Sequence, residues 1–179
     1  EEGFIYGIMA MGVYISYKVM DFPDLSVDGT FPLGMCVTAS MITAGADPLL
    51  ACIVAFIAGS LAGCITGILN VKLKITDLLS GILVMTAMWS VNLAITKGSA
   101  VLPFYNKNTI FNTGLVQILP ESVQKYRVLI IAGLMMLIVK ILMDLYLKTK
   151  SGLLLRAAGD NPQFVTSMSR NPGMMKIIG

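Results

Sequence analysis

The chain has 179 residues, of which 56% are hydrophobic and 13% charged, with a formal net charge of +3 and a mean hydropathy of +0.80. A soluble domain of this length carries about twice that share of charge, and so small a net charge makes no case for nucleic acid. Histidine is absent, which removes the usual metal ligand, the usual general base and every His-based triad; with no GxxxxGK[ST] run, any ATP use belongs to another chain.

Residues 3–20 form the first expected span, apolar apart from Tyr6, Tyr14, Ser16, Tyr17 and Lys18. Eighteen helical residues reach roughly 27 Å, against a hydrocarbon core of about 30 Å. Tyr17 and Lys18 suit the interface, where a ring and a snorkelling amine meet headgroups. No basic n-region or cleavage motif accompanies the segment, so it reads as a span and not as a signal peptide. The opening Glu1-Glu2 and the closing apolar run read as the edges of a longer protein.

Residues 21–34 then place Asp21, Asp24 and Asp28, two prolines and two glycines in one stretch without Lys or Arg. A helix starting at Pro32 and ending near Gly45 covers only about 21 Å, too little to cross alone. An extended entry over 22–31 must supply the rest, which is tolerated at depth only inside protein or beside water. The second span is therefore expected to be discontinuous, as in transport proteins. Its positive N-terminal end offers N–H groups to a carboxylate, and its Asp residues suit an ammonium group. Asp24, Asp28 and Thr30 are accordingly candidates for a solute's path; alternatively Asp28 and Thr30 only cap the half-helix.

The third span, 48–71, has Pro48 in its first turn. Ala55, Gly59, Gly63 and Gly67 recur every four residues on one face, where another helix can approach closely. Cys36, Cys52 and Cys64 lie in apolar surroundings without metal-ligand spacing and read as small hydrophobes. The fourth span, 76–96, opens with Thr76 as cap and Asp77 in the first turn. Thr86 and Ser90 share one face and Asn92 lies on another; such groups either bond to neighbouring helices or line a path.

Residues 97–126 form a long mixed connection, either a connector, a partner surface or the host of a short interfacial helix. The fifth span, 127–147, carries Lys140 and Asp144 four apart, placed to pair on one face. With its end in the cytoplasm, Lys18, Lys72, Lys74, Lys148, Lys150, Arg156, Arg170 and Lys176 fall inside. Lys97, Lys107, Lys125 and Arg127 fall outside, so the positive-inside bias supports this orientation. In the inner segment 148–173, Asn161 caps a short helix started by Pro162, with Val165 and Met168 on one face. A further span is expected from 174.

Two stretches carry a resemblance. Asp21-Phe22-Pro23-Asp24-Leu25-Ser26-Val27-Asp28-Gly29 with Phe31-Pro32-Leu33-Gly34, and Gly-Leu-Leu-Leu-Arg-Ala-Ala-Gly-Asp-Asn at 152–161, resemble permease subunits of bacterial ABC importers of the branched-chain amino-acid type. Leu79-Ser80-Gly81-Ile82-Leu83 adds to the likeness, which covers nearly the whole chain and is strongest to a branch named for tryptophan/tyrosine transport. The chain departs from the wider family at Ser169-Arg170-Asn171, which Pro172 follows.

The resemblance implies an all-α integral membrane bundle, multi-pass in the bacterial cytoplasmic membrane, that transports a small solute such as an amino acid by alternating access. It implies that the Pro162 helix is a coupling element for a separate ATP-binding subunit, with Arg156, Asn161, Pro162, Val165 and Met168 as its docking residues. ATP and Mg²⁺ would sit on that partner, and no cofactor, metal or catalytic residue on this chain. A second permease copy and an extracytoplasmic substrate-binding protein complete the implied assembly. Two other classes stay open on the residues themselves. One is half of an ion-coupled secondary transporter; the other is an intramembrane enzyme holding Mg²⁺ on Asp21, Asp24 and Asp28.

Overall fold

The structure, a computed structural model, describes residues 2–99, 101, 103, 109, 126–167, 173–174 and 177. Every regular element among them is helical. Helix α1 (Glu2–Tyr14) runs without a gap into a π-helical turn, π1 (Ile15–Val19). The wide turn closes when the Met20 N–H donates to the Ile15 carbonyl at 3.0 Å, and the Phe22 N–H donates to the Ser16 carbonyl at 2.9 Å. Asp21 then takes a left-handed φ of 51°, and Pro23 keeps Phe22 out of helical conformation.

Helix α2 (Val27–Thr43) begins five residues before the expected start at Pro32. The extended entry is correspondingly shorter, covering residues 20–26. Pro32 falls inside the helix, where it lacks the N–H that would have met the Asp28 carbonyl. Seventeen helical residues cover about 25 Å, so α2 is still short of a full hydrocarbon core. Gly45, at φ 88°, ends it in a left-handed C-terminal turn.

Helix α3 (Pro48–Leu73) starts on Pro48 as expected and stops at Lys74, which is left-handed at φ 54°. Helix α4 (Asp77–Ile95) follows, but the Thr76 side chain makes no capping bond. The corner is held instead by Asn70, whose Nδ2 donates to the Ile75 carbonyl at 2.8 Å and to the Asp77 carboxylate. Helix α5 (Arg127–Lys148) and two short helices, α6 (Lys150–Asp160) and α7 (Pro162–Ser167), complete the described chain. The sequence reading anticipated α7 and missed α6.

Among the described residues three helices are long and apolar enough to cross a membrane: Pro48–Leu73, Asp77–Ile95 and Val128–Lys148. They expose large apolar side chains such as Phe56 (78%) and Trp89 (70%), the signature of a surface meant for lipid or other helices. Two buried clusters hold the fold. Leu33, Ala62, Val84 and Met88 join α2, α3 and α4. Val19, Met20, Phe22, Leu147 and Leu155 join π1 and the entry to α5 and α6. Across the groups, Tyr6 and Phe31 bring their rings to 6.0 Å between centroids. Lys140 and Asp144 are both exposed, and among the described residues neither forms the expected ion pair. The expected interfacial helix within 97–126 lies almost wholly outside the described residues.

Candidate functional site

The entry to α2 is built on one carboxylate. Asp24 Oδ1 accepts the Ser26 N–H and Oδ2 accepts the Ser26 hydroxyl, each at 2.8 Å. Ser26 is buried, and its own carbonyl accepts the N–H groups of Gly29 and Thr30 at 3.0 and 2.9 Å. Asp24 therefore starts the helix through Ser26, earlier than Pro32 would allow. Both its oxygens are engaged in this turn, which accounts for a carboxylate without an adjacent cation.

The entry rests on α4 at two glycines. A Cβ on Gly81 would stand 2.8 Å from the Leu25 nitrogen and 3.0 Å from Asp24 Oδ1. A Cβ on Gly29 would stand 2.9 Å from both the Cα and the carbonyl oxygen of Met85. No side chain fits at either place, so backbone meets backbone. Farther along, Asn92 donates from Nδ2 to the Gly29 carbonyl at 3.2 Å. Asn92 is 8% exposed, and its Oδ1 has no partner among the described residues. Leu25 lies level with Gly81, one turn into α4, so the extended entry packs beside the start of that helix.

Between α1, π1, the entry and α3 lies a cavity of about 490 Å³. Asp24, Ser16, Phe22 and Phe56 line it, together with Gly59, Gly63 and Gly67. Among the described residues nothing lies within 4 Å of a Cβ placed on Gly59 or Gly63. That half of the small-residue face borders open space. A second hollow of about 570 Å³, lined by Thr30, Met35, Thr38, Cys52 and Ala55, separates α2 from α3 on another side.

The sequence-derived solute residues are thus dispersed. Asp24 faces the first cavity and Thr30 the second. Asp28 is exposed in the first turn of α2. Thr86 and Ser90 lie on the exposed side of α4, and Thr86 donates to its own helix, at 3.1 Å to Ile82 and 2.9 Å to Leu83. Asn92 faces the opposite, packed side. The contact glycines Gly29 and Gly81 were not singled out by sequence reasoning; the signal was small residues at the start of one helix and one turn into another.

On the neighbouring surface, Thr149 turns the chain from α5 into α6, accepting the Gly152 N–H at 3.3 Å. Asn161 Oδ1 accepts the Gln163 N–H at 3.0 Å, the expected cap of α7. Val165, expected to face a partner, is 0% exposed, so it is core and not docking surface. Arg156, Asn161, Gln163 and Thr166 are among the exposed positions there. Met168 lies outside the described residues. Among the described residues the arrangement holds no paired acid and base; it offers space, backbone contact and a pair of short helices packed beyond α5.

A family model described as "branched-chain amino acid transport system / permease component" matches residues 2–179. The chain is 42% identical over 178 residues to the tyrosine transport system permease protein of Clostridioides difficile (strain R20291), covering 99% of this chain and 56% of that protein. It is 31% identical over 179 residues to an uncharacterised protein of Rickettsia prowazekii (strain Madrid E), covering 100% of this chain and 60% of that one. The chain spans less than two thirds of the length of these relatives. No solved structure matches it. A packed helical bundle with membrane-length helices agrees with that match: the chain belongs to the family of branched-chain amino acid transport system permease components.

Proposed function

We propose that the chain belongs to the membrane-spanning subunit of an ATP-driven importer of amino acids, with tyrosine or a related aromatic amino acid as the first candidate. The carrying observation is the docking of α6 onto π1 and the α2 entry, through Gly159 against the Val19 backbone and through Leu155 in the cluster with Val19, Met20 and Phe22. An external push on α6 has a direct path into the membrane bundle, which is what alternating access driven by a separate ATPase requires. The 42% identity to a protein named as a tyrosine permease supports the substrate class. ATP and Mg²⁺ belong to the partner ATPase, and an extracytoplasmic binding protein makes the finer selection of substrate. A second permease copy completes the pathway in the bacterial cytoplasmic membrane. Thr86 and Ser90 on the exposed side of α4 and the Gly59 and Gly63 part of the small-residue face are surfaces available to that copy or to other helices.

The test is labelled tyrosine uptake into proteoliposomes holding the full-length permease with its candidate ATPase and binding protein. Uptake that needs ATP and both partners is expected. Uptake driven by an ion gradient without the ATPase would instead establish a secondary transporter. Arg156→Glu should weaken co-purification of the ATPase, and an unchanged yield of complex would remove α6 from the docking surface.

A further inference from the structure

Helix α1 packs mainly on α5, and α3 on α2 and α4; the cavity of about 490 Å³ keeps α1 and α3 apart. Gly12 borders it from α1, Gly59 and Gly63 from α3. A Cβ on any of the three would meet nothing within 4 Å among the described residues. They differ in this from Gly29 and Gly81, whose missing side chains are taken up by contacts already made. The polar groups on the walls have their own partners. Ser60 donates to the Phe56 carbonyl at 2.9 Å, Ser16 to the Gly12 carbonyl at 3.5 Å, and Asp24 is engaged by Ser26. An occupant has therefore to supply shape rather than hydrogen bonds.

Three kinds of occupant come to such a hollow in a membrane bundle. An acyl chain has the shape but brings hydrocarbon against Asp24, and a carboxylate in such surroundings is costly. A second copy meets its twin across a two-fold axis, where a hollow faces the same hollow and neither is filled. The chain's own next helix is already at the rim. Residues 173, 174 and 177 are helical; Met174 is 59% exposed, while Ile177, three residues on, lines the cavity with Gly12, Gly59 and Gly63. Residues 174–179 are apolar apart from Lys176, and both relatives extend well beyond the stretch matched here. A helix continuing from Ile177 runs between two glycine-bearing walls, and its side chains enter the spaces that the missing Cβ atoms leave.

We propose that the membrane helix begun at residues 173–177 wedges between α1 and α3, and that Gly12, Gly59 and Gly63 are its seat. The small-residue face of α3 is then an internal joint: it closes the protomer's own bundle and leaves the pairing of copies to another surface. Neither ATP nor import enters into this seat.

The experiment uses the full-length permease with Cys36, Cys52 and Cys64 replaced by Ala. It carries Gly63→Cys or, as a control on the opposite side of α3, Leu61→Cys, which replaces a side chain 61% exposed. Gly63→Cys should melt as its parent does; if it does not, Gly59→Cys takes its place. N-ethylmaleimide should label Gly63→Cys about tenfold more slowly than Leu61→Cys, since packing against protein hides a thiol. The protection should be equal in the assembled transporter and in single copies separated in detergent. With Ile177→Cys added, a short bis-maleimide should join positions 63 and 177 within one chain, read as a linked peptide pair after digestion. Protection lost when the copies separate would give the groove to the second copy, and labelling as fast as Leu61→Cys would give it to lipid; either overturns the seat. A link formed only between copies, or no link at all, overturns it as well. Since these readouts require no import, a failed uptake assay counts against the transport reading and not against the seat.

Discussion

Gly81 and Leu25 meet without side chains between them: a methyl group on Gly81 would stand 2.8 Å from the Leu25 nitrogen. The entry to α2 is therefore shaped by a residue far from it in sequence. Gly81→Ala and Gly29→Ala should each destabilise the protein by about 1–3 kcal/mol, because backbone has to move to admit the methyl. Gly34, with nothing within 4 Å, is the control; Gly34→Ala should be neutral or add about 0.5–1 kcal/mol. Thermal melts of the purified full-length permease in detergent decide between them, and equal melting temperatures for all three variants would refute the contact.

Asp24 and Asp28 should separate cleanly. Asp24→Ala removes the acceptor of two Ser26 hydrogen bonds and should cost about 0.5–2 kcal/mol, the range of a lost helix cap. Asp28→Asn, at an exposed position, should leave the melting temperature unchanged. If uptake and its specificity also persist in Asp28→Asn, that carboxylate contributes only to the start of the helix.

Asn92 is half used. Its Nδ2 bonds to Gly29 while its buried Oδ1 finds no partner among the described residues. An apolar side chain of similar size forfeits the bond to Gly29 but also removes a buried oxygen without a partner among the described residues, two effects of opposite sign. Asn92→Leu should change stability by less than about 1 kcal/mol, because helix-to-helix polar bonds in membranes average well under that. A fall of several degrees in melting temperature would mean that the amide makes bonds beyond the one to Gly29.

The glycine face of α3 gives a further test. A Cβ on Gly63 meets nothing within 4 Å among the described residues, and Gly63 borders the first cavity, so Gly63→Leu has space to enter within this part of the chain. If the face receives another helix in the assembled permease, the larger side chain should reduce the yield of folded protein or of dimer, as overpacking does. Size-exclusion profiles and melts that match the parent would leave the face to lipid.

The helical class and most element ends were legible because long apolar runs, Pro48 and Asn161 each act locally. The start of α2 was misplaced because Pro32 was taken for a first-turn proline. Asp24 already fixes the start of the helix by accepting the Ser26 N–H and hydroxyl, and the helix carries the proline in its second turn. Helix α6 was overlooked because Gly152 and Gly159 weigh against helix by propensity. They are retained on the one face pressed to backbone, a property of the fold and not of the segment. The same reason hid Gly29 and Gly81, since close approach joins stretches that share no sequence neighbourhood. Val165 was assigned outward because spacing defines a face without saying which way it turns.

The π turn at Ile15–Val19 has a consequence for how this protein can vary. A π turn holds one residue more than the α turn it replaces, and each helical residue rotates the chain by about 100°. Which atoms of Val19 and Met20 face α6 is thus decided by counting residues, not by their identities. Exchanging Tyr17 or Lys18, both exposed, should matter little, while deleting either one would turn the Val19 carbonyl away from Gly159. Length, in this short stretch, is the inherited quantity.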